Sequence, residues 1–183
     1  IQNFRIDQRN SIGVSQRKSK QFAAAEETFL KIIEEALQKD LSYVLAQTYS
    51  NLGNVYLDQK AFDKATEVYA KSDSICLALD MKVGILINKI NKGELLLNQQ
   101  QYEAALEVLK DAESMTESID IPQFKVGLFE GLKKAYEGVG NERMSDKYFR
   151  KHVEIKNAFI GDTPKSMMIA WELSREKEFN SAK

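Results

Sequence analysis

The sequence predicts an all-α protein, a right-handed superhelix of four equal helix-turn-helix hairpins followed by one further helix. Three observations carry that expectation. Two prolines and nine glycines in 183 residues, with abundant Ala, Leu, Glu, Lys and Gln, suit helices throughout. The pattern recurs at a stride of 40 residues with no insertion. The stretch "NLGNVYLDQKAFDKATEVY" at 51–69 sets a glycine inside an otherwise good amphipathic helix, where Gly costs about 1 kcal/mol relative to Ala.

The stride runs through several independent columns. Gly13, Gly53 and Gly93 lie on one, which ends at Lys133. Ala25, Ala65, Ala105 and Ser145 form another, as do Phe29, Tyr69, Leu109 and Phe149. Phe22, Phe62 and Tyr102 hold a fourth that fails at Glu142, and Ile1, Leu41, Met81 and Ile121 a fifth. Residues 1–160 therefore divide into units 1–40, 41–80, 81–120 and 121–160.

Each unit holds two helices. In the second unit, Tyr43, Leu45, Tyr49, Leu52 and Tyr56 follow helical spacing to about Asp58, and "DQKAF" is a short turn. The spacing resumes through Phe62, Ala65, Val68, Tyr69, Ile75 and Leu79. Asp40, Asp80 and Asp120 stand where helix N-caps belong, and Pro122 suits a first turn, where its missing N–H is no loss. The glycine column then has a purpose. Two antiparallel helices cross closely, and Gly53 and Ala65 are the small residues of that crossing, with Leu52, Tyr56 and Tyr69 filling the space around it.

These residues resemble the tetratricopeptide repeat (TPR) family, whose signature is W-x2-L-G-x2-Y followed by A-x3-F. Here the second unit has Tyr49-x2-Leu52-Gly53-x2-Tyr56, then Ala65-x3-Tyr69. The first unit keeps Ile12, Gly13, Ala25 and Phe29. The third keeps Gly93, Ala105 and Leu109 but has Lys89, Lys92 and Leu96 in the other columns. The fourth keeps Phe129, Leu132, Tyr136 and Phe149, with Lys133 and Ser145 at the crossing. The usual closing proline is absent, and a 40-residue stride also lies near HEAT and armadillo repeats. The Leu-Gly-x2-Tyr string favours the TPR reading, with each helix longer by roughly a turn.

Residues 161–183 predict a ninth helix. Gly161 ends the preceding one, Thr163 caps, Pro164 takes the first position, and Met167, Met168, Ala170 and Trp171 make a short apolar stripe. Leu173 holds the small-residue column there, which fits a helix that shields the last hairpin or connects to a further domain. The opening on a repeat boundary at Ile1 suggests a piece of a longer protein.

Composition narrows the function. With 26 basic against 27 acidic residues, the chain lacks the basic surplus of a nucleic-acid or anionic-membrane binder. No apolar run approaches the roughly 18 residues that span a bilayer. One cysteine, Cys76, excludes an internal disulfide and a multi-cysteine metal site, and leaves cytoplasm or periplasm open. His152, the lone histidine, shares a column with Ile32, Ser72 and Ala112 and reads as structural; Cys76 in "SICLAL" reads as buried thiol. Glu26–Glu27 and Glu34–Glu35 diverge around their helix and read as solvated charge rather than acid–base pairs. "GDTPKS" lacks the glycine spacing of a phosphate loop. No cofactor, metal or catalytic activity is expected.

What remains is a surface. The resemblance implies that first helices line the inner face of the superhelix and that four positions per unit point inward. Those are Asp7, Asn10, Ser11 and Val14; Gln47, Ser50, Asn51 and Asn54; Ile87, Ile90, Asn91 and Glu94; and Gly127, Glu130, Gly131 and Lys134. Asparagines such as Asn51 and Asn91 can offer donor and acceptor to an extended peptide backbone. The resemblance thus implies a module that binds a protein or peptide in its concave groove. The lysines and arginine with which chaperone-binding members clamp a terminal carboxylate are missing. The last unit and tail loosely resemble the junction in bacterial signalling proteins where TPRs lead into a transmembrane or DNA-binding region. That favours the sensory or interaction part of a larger regulator, ahead of a stand-alone scaffold.

Overall fold

Eight α-helices succeed one another about every 20 residues: α1 (Gln2–Lys18), α2 (Phe22–Gln38), α3 (Ser42–Asp58), α4 (Phe62–Ala78), α5 (Lys82–Asn98), α6 (Tyr102–Met115), α7 (Pro122–Gly138) and α8 (Glu142–Ile160). The structure, a computed structural model, describes residues 2–119 and 121–160, and no strand occurs among them. Ile1, the Asp120 cap and the ninth helix at 161–183 lie outside the described residues.

One backbone device makes nearly every connection. Lys20, Asp40, Lys60, Asp80, Gln100 and Gly140 all have positive φ, between 48° and 71°. The residue after each donates its N–H to the carbonyl five residues back: Gln21 to Gln16, Leu41 to Ala36, Ala61 to Tyr56, Met81 to Cys76, Gln101 to Leu96 and Asn141 to Tyr136, at 2.8–2.9 Å. A left-handed residue that folds the chain back on the last helical turn is the Schellman ending. Asp40 and Asp80 are therefore not N-caps. They end the helix before, and the capping positions are Leu41 and Met81, whose side chains make no capping bond. The exception is α6, which stops early and leads through an extended Ile121 into Pro122 at the start of α7, as the residue before a proline must be.

The helices pair as α1–α2, α3–α4, α5–α6 and α7–α8, and the hairpins stack in file. The glycine column shapes each pair, and what stands nearest each glycine is the large residue of the facing helix. A β-carbon at Gly53 would overlap the Tyr69 ring, one at Gly13 would lie 2.7 Å from Phe29 Cε1, and one at Gly93 would overlap Leu109. Each glycine thus makes room for the large residue four positions after the alanine, while Ala25, Ala65 and Ala105 are fully buried beside it. In the fourth hairpin Lys133 fills the glycine's place, with its ammonium 5.5 Å from the Phe149 ring centre. Phe149 is only half-buried, and the ring that packs is its neighbour Tyr148, stacked on Tyr136 at 5.5 Å. The Phe149 column is corrected accordingly.

Buried apolar side chains form two clusters. One joins α1–α4 with Leu95, and the other joins Leu86 to α6–α8. Between them, where α4 meets α5, the interior is polar: Ser72 Oγ lies 2.8 Å from the Ala46 carbonyl and 3.1 Å from Asn88 Oδ1, and Asn88 Nδ2 donates to Cys76 Sγ.

Curvature follows from which helices meet. First helices of successive hairpins touch (α1–α3, α3–α5 and α5–α7), whereas among the described residues α2, α4, α6 and α8 do not touch one another. The file therefore bends toward its first helices, which line the concave side.

Candidate functional site

The expected inner-face residues separate into two groups. Asn10, Ser50 and Asn91 are buried in the seams between first helices. Asn91 Nδ2 donates to Ser50 Oγ at 2.9 Å, and Thr48 Oγ1 sits 3.4 Å from Asn10 Oδ1. Their polar groups join hairpins rather than face outward, because neighbouring helices close over the column nearest the crossing. Asn10 Nδ2 is buried without a hydrogen-bond partner among the described residues. Asn54 is half-exposed and its Oδ1 accepts the Tyr69 hydroxyl at 2.6 Å, which fixes the ring that Gly53 cradles.

The other group stays accessible. Gln47, Glu94, Glu130 and Lys134 are exposed, and Asn51, Ile87 and Ile90 are half-exposed. Of the neighbouring positions, Asp7, Ser11 and Gly127 are exposed, while Val14 and Gly131 are partly covered. A β-carbon at Gly131 would stand 3.2 Å from Leu109 Cδ1, so this glycine lets α7 approach the third hairpin.

Four of the expected residues converge on one depression. Gln47, Ser50 and Asn51 of α3 and Ile87 of α5 line a cavity of about 630 Å³ over the N-terminal halves of those helices. Ser72, Cys76 and Asn88 form part of its lining, and Tyr43 and Val83 stand at its edge, 66% and 40% exposed. Sequence reasoning placed Tyr43 in the apolar stripe of its helix and passed over Val83. Both occupy the same point of the 40-residue stride, and two apolar residues at an outward register are the signal that could have found them. Gly84 shapes the cavity too, since a β-carbon there would lie 2.6 Å from Cys76 Sγ. Burial pushes the Cys76 thiol up, which opposes the thiolate needed for nucleophilic work.

Two turns further along α5 the surface becomes charged. Asp58 pairs with Arg17 at 3.7 Å, and Lys134 with Glu130 at 2.8 Å. Glu94 stands between these pairs and keeps solvent-accessible surface, but the concave wall surrounds it. That desolvation pushes its carboxyl above the usual range, against the pull of Lys134 and Arg17 and with help from Asp58 and Glu130. Glu130, bonded to Lys134, is held low.

Titratable groups elsewhere serve packing. His152 Nδ1 lies 3.0 Å from the Val126 carbonyl, so that nitrogen carries the proton and donates. Glu26 accepts the Tyr56 hydroxyl across hairpins at 2.8 Å, burial together with that carboxylate pushes the phenol up to about 12, and Glu35 pairs with Arg9. Neither carboxylate is the merely solvated charge expected. Glu113 receives Tyr148 and Lys151, each at 2.7 Å, and these donors outweigh its burial and hold it low. A second depression of about 570 Å³ between α4, α5 and α6 is lined in part by Lys89 and Asp111, which pair at 2.5 Å. Among the described residues no group of three or more His, Cys, Asp or Glu could hold a metal ion, and no helix is long and apolar enough to cross a membrane.

Comparison with known proteins agrees with this architecture. The tetratricopeptide repeat family model matches residues 46–78 and 89–118, which are most of α3–α4 and of α5–α6. No curated protein matches the sequence. Among solved structures, the crystal structure of BtubC (BKLC) from P. vanneervenii superposes with a TM-score of 0.71 at 15% identity. The match covers 87% of this chain and 66% of that one, just under two thirds of its length. At that identity the likeness is one of fold.

Proposed function

From the premise that the two central hairpins are tetratricopeptide repeats, we propose that this protein is a non-catalytic binding module that holds an extended segment of a partner protein along its first helices. Repeats of this kind are protein-interaction modules, and the finer assignment rests on one observation. The accessible inner-face residues of α3 and α5 meet at a cavity that exposes Tyr43 and Val83 at its edge, beside polar groups able to bond a peptide backbone. Gln47 and Asn51 supply donor and acceptor, and Tyr43, Val83 and Ile87 supply surface that gains by leaving water, at about 25 cal/mol per Å². Asn10, Ser50 and Asn91 support the wall. Glu94, Glu130 and Lys134 extend the groove, with Ile90 between. We place the four hairpins, 1–40, 41–80, 81–120 and 121–160, in one such module, with 161–183 as cap or connector. A role inside a larger signalling regulator remains the leading biological setting, ahead of a stand-alone scaffold.

The test is a selection of random peptides on the whole chain, followed by affinity measurements with the selected peptides. The double variant Asn51→Ala, Ile87→Asp should weaken binding at least about tenfold, the scale of losing one central contact. Lys31→Ala on the outer surface of α2 should leave it unchanged. Equal affinity for the inner-face variant and the unaltered chain would refute the assignment.

A further inference from the structure

Around Glu94 the other groove charges are matched. Asp58 has Arg17 and Glu130 has Lys134. At the rim of the α3–α5 cavity, Asp80 and Lys82 offset each other in sign. The Glu94 carboxylate lies among Arg17, Asp58, Glu130 and Lys134 without a hydrogen bond or ion pair to any described residue, although Lys134 is near enough to act on it through space. An exposed carboxylate that three neighbouring hairpins partly desolvate, and that no described cation bonds, is open to a cation from a ligand. Among the described residues no Lys or Arg makes an ion pair with Glu94.

Glu94 and Ile87 are seven positions apart on α5, so they face the same side two turns from each other, about 10 Å along the axis at 1.5 Å per residue. An extended chain advances roughly 3.3 Å per residue, so that separation corresponds to about three residues of a bound strand. We propose that the preferred ligand is an extended segment carrying a large apolar side chain, seated in the cavity at Ile87, and a lysine or arginine about three residues away, seated on Glu94. This rests on the groove assignment above and adds to it the chemistry of the partner. Tyr43, Val83 and Ile87 favour an apolar anchor in the cavity, and Glu94 disfavours an acidic one at its own position by repulsion. Selectivity then comes from both an attraction and a penalty.

The experiment uses the whole chain and fluorescein-labelled, Ser/Gly-rich peptides that carry one Trp and one Arg. The separation varies from one to six residues in both orders, and Gln or Glu replaces Arg in matched series. Affinity should peak when Arg stands about three residues from Trp, roughly tenfold above the Gln peptide, as expected for a hydrogen bond to a charged group. Glu peptides should bind worst. Glu94→Gln should bring the Arg and Gln peptides level, and Glu94→Lys should invert the preference. The Arg advantage of the unaltered chain should also fade as pH falls and the Glu94 carboxylate takes up a proton, with no such change in Glu94→Gln. An Arg advantage that ignores separation, survives Glu94→Gln or belongs to the Glu series would overturn the proposal, and so would failure of every peptide to bind. If peptides from the random selection bind through Asn51 and Ile87 but show no basic preference, this inference falls and the groove assignment stands. If they bind elsewhere, both fall.

Discussion

Gly53 illustrates how one absent side chain sets the geometry of a hairpin. Helix propensity alone favours alanine there by about 1 kcal/mol. The structure opposes that change, because a β-carbon would enter the Tyr69 ring, which is held by burial and by its bond to Asn54. We expect Gly53→Ala to destabilise the chain by about 1–3 kcal/mol, the range for overpacking. Chemical denaturation measures this, and a stabilised variant would show that the ring can yield. The glycine column itself was legible in the sequence, but its partner was not. Ala65 and Tyr69 are four apart and share a helix face, so spacing alone cannot say which of them stands opposite the glycine. That depends on how far one helix is slid along the other. The same limit explains Phe149, since Lys133 filled the recess and the last helix buried Tyr148 in its place.

At the scale of the element, the hairpins owe their regularity to a turn that almost never uses the residue best suited to it. Five of the six left-handed positions are Lys, Asp or Gln, and only the last is Gly140. A side chain in that conformation costs about 1–2 kcal/mol, of which glycine's greater freedom in the unfolded chain returns part. Lys60 is exposed and makes no ion pair with a described residue, so Lys60→Gly should raise stability by about 0.5–1 kcal/mol. An upward shift of the thermal midpoint would bear this out, and a downward one would mean that the Lys60 side chain supports the turn. Helix positions and turns were readable from the 40-residue stride. The role of Asp40 and Asp80 was not, because a three-residue connection puts the end of one helix beside the start of the next. Aspartate suits a cap and also tolerates the left-handed region, and only backbone geometry separates the two uses.

At the scale of the whole molecule, a file of hairpins buries apolar surface between neighbours only, so its interior need not be continuous. Here it divides at the α4–α5 junction, where Ser72 stands at the point of the stride that Ile32 holds in the first unit and Asn88 at the point that Leu128 holds in the fourth. Smaller and more polar side chains leave space, and the cavity at Gln47, Asn51 and Ile87 opens over that junction. The inner face as a class could be read from the family resemblance. Its division into accessible residues and seam residues required the distances between helices, and so did the isolation of Glu94. The accessible residues are the ones on which the functional account depends.

The most direct test of that account is an amide chemical-shift map of the whole chain titrated with a peptide taken from the random selection. Binding along the first helices predicts that the largest shifts fall on Gln47, Asn51, Ile87, Ile90 and Glu94, reaching Glu130 and Lys134, with the outer surfaces of α2, α4 and α6 little changed. Shifts concentrated on those outer helices, with α3 and α5 silent, would contradict it.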